Sequence, residues 1–150
     1  MALELVVMVG LQGSGKSTWV REHLSATHLV VSKDHWPRAR NREARQRRVV
    51  EDALAAGRSV VVDNTNASPH DRAPLIAIAR VRSAEVRAVY LDVPVAVCLA
   101  RNAGRVGRTC VPVVGVLATR NRLVPPSLDE GFDRVDIVDS SDKSKSWPQQ

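Results

Sequence analysis

The sequence predicts an α/β fold in which helices flank a parallel β-sheet. Three observations carry this. The apolar runs at 3–9, 28–31 and 59–62 are short and rich in Val and Leu, the continuous character of strands covered on both faces. Stretches with helical spacing separate such runs, so strand and helix alternate along the 150 residues. The first run also leads directly into Gly10-Leu-Gln-Gly-Ser-Gly-Lys-Ser-Thr18, a glycine-rich loop that opens a helix.

The elements follow in order. Strand 3–9 precedes loop 10–15 and a helix from about Lys16 to Ser25. His28 to Val31 forms a second strand that ends in Ser32, Lys33 and Asp34. From about Pro37 to Ala56 the spacing becomes helical: Val49, Val50, Ala53 and Leu54 share one face, Arg38, Arg42, Arg45, Gln46 and Arg48 lie largely off it, and Gly57 ends it. Ser59 to Val62 is the third strand, closed by Asp63, Asn64, Thr65 and Asn66. A helix from Pro69 to about Arg82 has Ser68 as its cap and a proline in its first turn. Glu85 to Asp92 is the fourth strand, and the helix from Val95 breaks at Gly104. Arg101, Arg105 and Arg108 then fall on a glycine-hinged stretch that reads as a lid. Pro112 to Arg122 is helical, Arg134 to Val138 supplies a last strand, and the polar segment 140–150 is expected to be disordered. The domain is therefore expected to span 1–139.

The chemistry gathers at the loop. Glycines at 10, 13 and 15 let backbone N–H groups turn inward, and these donors with the helix dipole make an anion site. In this phosphate cradle, formed by Gly10, Gln12, Gly13, Ser14, Gly15, Lys16, Ser17 and Thr18, Lys16 reaches the β- and γ-phosphates and the Ser17 hydroxyl ligates Mg²⁺, or Mn²⁺ in its place. The architecture is thus of the P-loop NTPase and kinase kind. Ligands of an open α/β sheet lie at the C-terminal ends of its strands, which marks Asp34 and Asp63. Asp34 is the candidate base for an acceptor hydroxyl, or alternatively a helix cap; Asp63 is a carboxylate that orients the metal, both acting on it through water. Arg101, Arg105 and Arg108 are the candidate clamp on the triphosphate of ATP or another NTP. Asn64, Thr65 and Asn66 are candidate acceptor contacts and equally good turn formers.

Composition sets outer bounds. The formal charge is +6 and the isoelectric point about 10.1, mostly through arginine, which favours polyanionic partners. Two cysteines, Cys98 and Cys110, are not spaced as a metal pair, and Cys98 falls in an apolar run. No stretch is long and apolar enough for a membrane span, so the reading is a cytoplasmic protein with no membrane partner. Oligomeric state is not written in the sequence.

With these residues in view, the chain resembles the kinase domain of polynucleotide 5′-hydroxyl kinases. The resemblance rests on the loop 10–19, Val-Ser-Lys-Asp of 31–34, Val-Asp-Asn-Thr-Asn of 62–66, Arg72, Arg-Asn of 101–102 and Glu-Gly-Phe of 130–132. It is close to the kinase modules of bacterial RNA end-healing enzymes and of the animal DNA-repair kinase-phosphatase. It implies transfer of the γ-phosphate of ATP or another NTP to the 5′-hydroxyl of RNA or DNA. It also implies that Asp34 is the base, Arg105 the lid arginine, Arg38 an acceptor-phosphate contact, and Asn64 and Arg72 residues of the acceptor side. The chain departs from the family at Lys33, where arginine is frequent, at Asn64, where the phage enzyme has a carboxylate, and in the spacing of Arg38 from Asp34. Two rival readings fit the same residues: a small-molecule kinase acting on a sugar acid, an antibiotic or a nucleotide sugar, and a nucleotide-binding switch without a kinase step.

Overall fold

The computed structural model describes residues 2–107 and 110–139. Five parallel strands, β1 (Glu4–Val9), β2 (Leu29–Val31), β3 (Val60–Val62), β4 (Glu85–Asp92) and β5 (Arg134–Asp139), lie in the order β2-β3-β1-β4-β5. The central strand β1 pairs Leu5 with Val60 on one side and with Val86 on the other. Its side chains alternate between two cores. Leu5, Val7 and Val9 pack against α2 (Arg42–Ala55) and α3 (Pro69–Val81) through Val50, Leu54, Leu75 and Ala79. Val6 and Met8 pack against α1 (Lys16–His23) through Trp19 and Val20. Full burial of each such side chain contributes about 1.5–3 kcal/mol, so a central strand apolar on both faces has a single stable place in the sheet.

The element boundaries follow from local chemistry. α3 begins where expected, because the Ser68 side chain accepts from the Asp71 N–H while the Asp71 carboxylate accepts from the Ser68 N–H. α2 does not begin near Pro37, as the spacing predicted, but at Arg42. Asn41 Oδ1 accepts the Ala44 amide at 3.0 Å and so caps the helix four residues later. Lys33–His35, just before Pro37, form a 3₁₀ turn. α4 (Val95–Ala103) and α5 (Val113–Arg122) complete the helices, and Gly104 closes α4 as predicted. Cys98 is fully buried, and burial pushes its thiol up. Arg108 and the expected disordered tail at 140–150 lie outside the described residues. Among those that are described, no helix is long and apolar enough to cross a membrane.

Candidate active site

Strand order brings the predicted chemistry to one edge of the sheet. The C-terminal end of β1 runs into the glycine loop, that of β2 into Ser32–Asp34 and that of β3 into Asp63–Asn66. The loop is stitched to its neighbour by Gly10 N–H donating to the Thr65 carbonyl at 3.1 Å. Gly13 has φ +83, and a Cβ there would collide with the Cys98 carbonyl of α4. The loop and the lid helix are therefore packed backbone against backbone, which only glycine permits. Gly15, at φ 94, caps α1 without a side chain, leaving first-turn amides to face the loop.

Two clefts meet here. One, of about 620 Å³, lies between Gly13, Gly15 and Thr18 of the loop and Ala100, Arg101, Gly104 and Arg105 of the lid. The other, of about 400 Å³, is lined by Gln12, Lys16, Ser17, Lys33, Asp34, Arg42, Asp63, Asn64, Thr65, Arg105 and Val111. Arg105 borders both. Arg101 also reaches back to the loop, its Nη1 donating to the Ser14 carbonyl at 3.5 Å.

Lys16 Nζ donates to the Gly10 and Leu11 carbonyls at 3.0 and 2.8 Å. Burial lowers its ammonium from the ordinary 10.5 to about 8; Asp63 opposes that shift and Arg105 adds to it. Ser17 Oγ donates to Asp63 Oδ2 at 2.7 Å, which sets a hydroxyl and a carboxylate side by side at the mouth of the loop. Asp34 sits in the 3₁₀ turn with its amide donating to Ser32 Oγ at 3.2 Å, and its side chain borders the same cleft as Lys16 and Arg105. Gln12 is tied to α5 by its Nε2 donating to Thr119 Oγ1 at 3.0 Å.

Not every expected contact faces the cleft. Arg72 is fully buried: Nε and Nη2 donate to Glu130 at 2.8 and 2.9 Å, and Nη1 donates to the Asn66 carbonyl at 2.9 Å. An acceptor cannot reach it, and breaking a pair this buried costs about 3–5 kcal/mol. Asn66 also belongs to the interior, with φ 42 and Nδ2 donating to the Met8 carbonyl at 2.8 Å. Both hold the end of β3 in place instead of touching an acceptor. Arg38 is exposed and lines neither cleft; Arg42, the first residue of α2, lines the cleft that Asp34 and Arg105 also line. Sequence reasoning missed Arg42 as a cleft residue because it placed the helix start too early. The signal was Asn41, a cap residue three positions before Ala44. Asn64 borders the cleft but spends its side chain on protein, accepting from the Lys33 amide at 3.1 Å. Trp36 packs against the core with the Arg45 guanidinium 5.0 Å from its ring centre.

A family model described as an AAA domain matches residues 5–123, which covers the loop, both carboxylates and the lid. The chain belongs to that family. Among curated proteins this AAA domain is similar to a bifunctional polynucleotide phosphatase/kinase of Acanthamoeba polyphaga mimivirus, 31% identical over 144 residues that cover 90% of this chain. The match spans 33% of the viral protein's length. Among solved structures it is similar to a sugar kinase from Janibacter sp. HTCC2649, with TM-score 0.68, 19% identity and coverage of 93% of this chain and 86% of that one. A fungal RNA kinase is similar too, with TM-score 0.65, 17% identity and coverage of 95% and 77%. The fold is that of a P-loop kinase, and these kinases differ in their acceptors.

Proposed function

We propose that the protein is a phosphotransferase that moves the γ-phosphoryl group of ATP, or of another NTP, onto the 5′-hydroxyl end of RNA or DNA, as in nucleic-acid end healing. The observation that carries this is Arg105 at the junction of two clefts, one walled by the phosphate loop and the other holding Lys16 and Asp34. Transfer of a phosphoryl group needs in-line placement and positive charge on the moving oxygens, with little covalent work for the protein. Asp34 orients the acceptor hydroxyl and takes its proton; Lys16 and Arg105 hold the charge of the group in transit. Arg101 clasps the donor from the lid side.

A divalent metal fits. Ser17 and Asp63 present hard oxygen donors 2.7 Å apart, and no group of three or more His, Cys, Asp or Glu side chains forms a complete protein cage among the described residues. That donor set suits Mg²⁺ or Mn²⁺, which keep water and phosphate oxygens as most of their ligands. Ser17 would hold the ion directly, with Asp63 and Asp34 acting through water; when bound it neutralises the charge that builds on the β- and γ-oxygens.

The acceptor assignment rests on how charge is distributed. Arg72, Arg80, Arg82, Arg87 and Arg134 all pair with carboxylates. None of the six arginines between 38 and 48 does so among the described residues, and Arg42 carries that surface to the cleft that Asp34 lines. Unneutralised guanidinium groups beside a phosphoryl acceptor site suit a substrate with phosphates of its own. The similarity to a polynucleotide phosphatase/kinase supports the same reading, whereas the sugar-kinase neighbour supports a small alcohol as the alternative. An acceptor panel decides. Labelled phosphate from ATP is expected on 5′-hydroxyl oligonucleotides, with less transfer as salt rises; label on sugars and none on oligonucleotides overturns the acceptor.

A further inference from the structure

Gln46 lines neither cleft, yet it is one of the few buried polar side chains, 2% exposed. It occupies the core-facing side of α2, one turn before Val50 and two before Leu54, where an apolar residue would satisfy the spacing. A buried amide is costly without a partner, and this one has a specific partner: Asn64 Nδ2 donates to Gln46 Oε1 at 2.6 Å. The other end of Asn64 faces the turn that carries Asp34. Its Oδ1 accepts from the Lys33 amide at 3.1 Å and from Ser32 Oγ at 3.4 Å, while Ser32 Oγ accepts from the Asp34 amide at 3.2 Å. The chain of donors and acceptors runs unbroken from α2 to the backbone of Asp34.

We propose that Gln46 is a positioning residue for phosphoryl transfer: through Asn64 it fixes the Asp34 turn relative to α2, the helix that carries Arg42. The reason is the two-sidedness of an amide. If Asn64 were reversed end for end, its NH₂ would meet the Lys33 N–H, donor against donor, and the turn would lose its anchor. The Lys33 N–H, a donor only, selects the orientation in which Asn64 offers oxygen to the turn, and Gln46 Oε1 accepts from the NH₂ that this orientation aims at α2. One side chain thereby couples the arginine that faces the acceptor's phosphates to the carboxylate that faces its hydroxyl. The inference rests on Asp34 serving as the base.

The experiment compares Gln46→Met, Gln46→Glu and Asp34→Asn in the full chain, with ATP and a 5′-hydroxyl oligonucleotide. Gln46→Met keeps length and packing but has no oxygen, and kcat is expected to fall about tenfold, since a base displaced by a fraction of an ångström loses alignment. KM for ATP should stay within about twofold, because the donor cleft contains no member of this network. Gln46→Glu retains an acceptor oxygen facing Asn64, so kcat should stay within about threefold of the parent. A folded Gln46→Met protein with unchanged kcat overturns the proposal, as does a folded Gln46→Glu protein that loses as much as Gln46→Met. Should Gln46→Met fail to fold by circular dichroism, Gln46→Glu decides alone: kcat within about threefold of the parent supports the proposal, and a loss of about tenfold in a folded protein overturns it. Loss of turnover in Asp34→Asn with none in the Gln46 variants removes the coupling and leaves the function standing; full turnover in Asp34→Asn removes both.

Discussion

Lys16 shows what a single side chain contributes at this site. With its ammonium held down to about 8 by burial, the folded chain binds fewer protons than the unfolded one between that pH and 10.5, so this group makes the fold more stable as pH rises through that window. Nucleotide binding has the opposite sign, since a triphosphate prefers the charged form. Affinity for ATP is expected to fall by up to about tenfold per pH unit above 8, read by calorimetric titration from pH 7 to 9.5, while a flat profile would remove Lys16 from the donor contact. The loop was legible at this scale because its spacing is dictated by the size of a phosphate chain and not by the rest of the protein. Arg72 was not. Whether an arginine on α3 points outward depends on Glu130, 58 positions away, and nothing local to 69–82 announces that partner. Asn66 was missed for the same reason, because its side-chain partner, the Met8 carbonyl, also lies 58 positions from it.

At the scale of the element, α2 decides the character of one wall of the cleft that holds Asp34. Its inner face holds Val50 and Leu54 in the core, and its first residue, Arg42, stands at the cleft with the positive end of the helix dipole behind it. Arg42→Ala is expected to raise KM for a 5′-hydroxyl oligonucleotide, leave KM for ATP unchanged, and reduce the slope of log affinity against log salt by about 0.7, the value for one single-strand phosphate contact. Steady-state kinetics at several salt concentrations measures all three. The apolar stripe of α2 could be read from its spacing, whereas its start could not, because Pro37 and Asn41 both mark helix beginnings and only hydrogen bonding selects between them. α4 gives the complementary case. Gly104 marked its end in the sequence, but the packing of Cys98 on Gly13, which seats the lid on the phosphate loop, is a contact between distant segments.

Across the whole molecule, the order β2-β3-β1-β4-β5 puts the ends of β1, β2 and β3 side by side, so the glycine loop, Asp34 and Asp63 come from three different segments and meet at one cleft. Alternation of strands and helices made this sheet legible, since the strands at its centre, β1 and β3, are continuous apolar runs covered on both faces. The division of the arginines, paired on the α3 and β5 side and unneutralised from 38 to 48, was not legible, because pairing is a property of the folded surface. The account depends on Asp34 meeting an acceptor hydroxyl across the cleft from Lys16 and Arg105. Single-turnover transfer of labelled γ-phosphate by Asp34→Asn, with ATP affinity measured on the same sample, tests it most directly. Transfer is expected to slow by about 10²–10⁴-fold with ATP affinity unchanged, the signature of a lost general base. Transfer at the parent's rate would contradict the account.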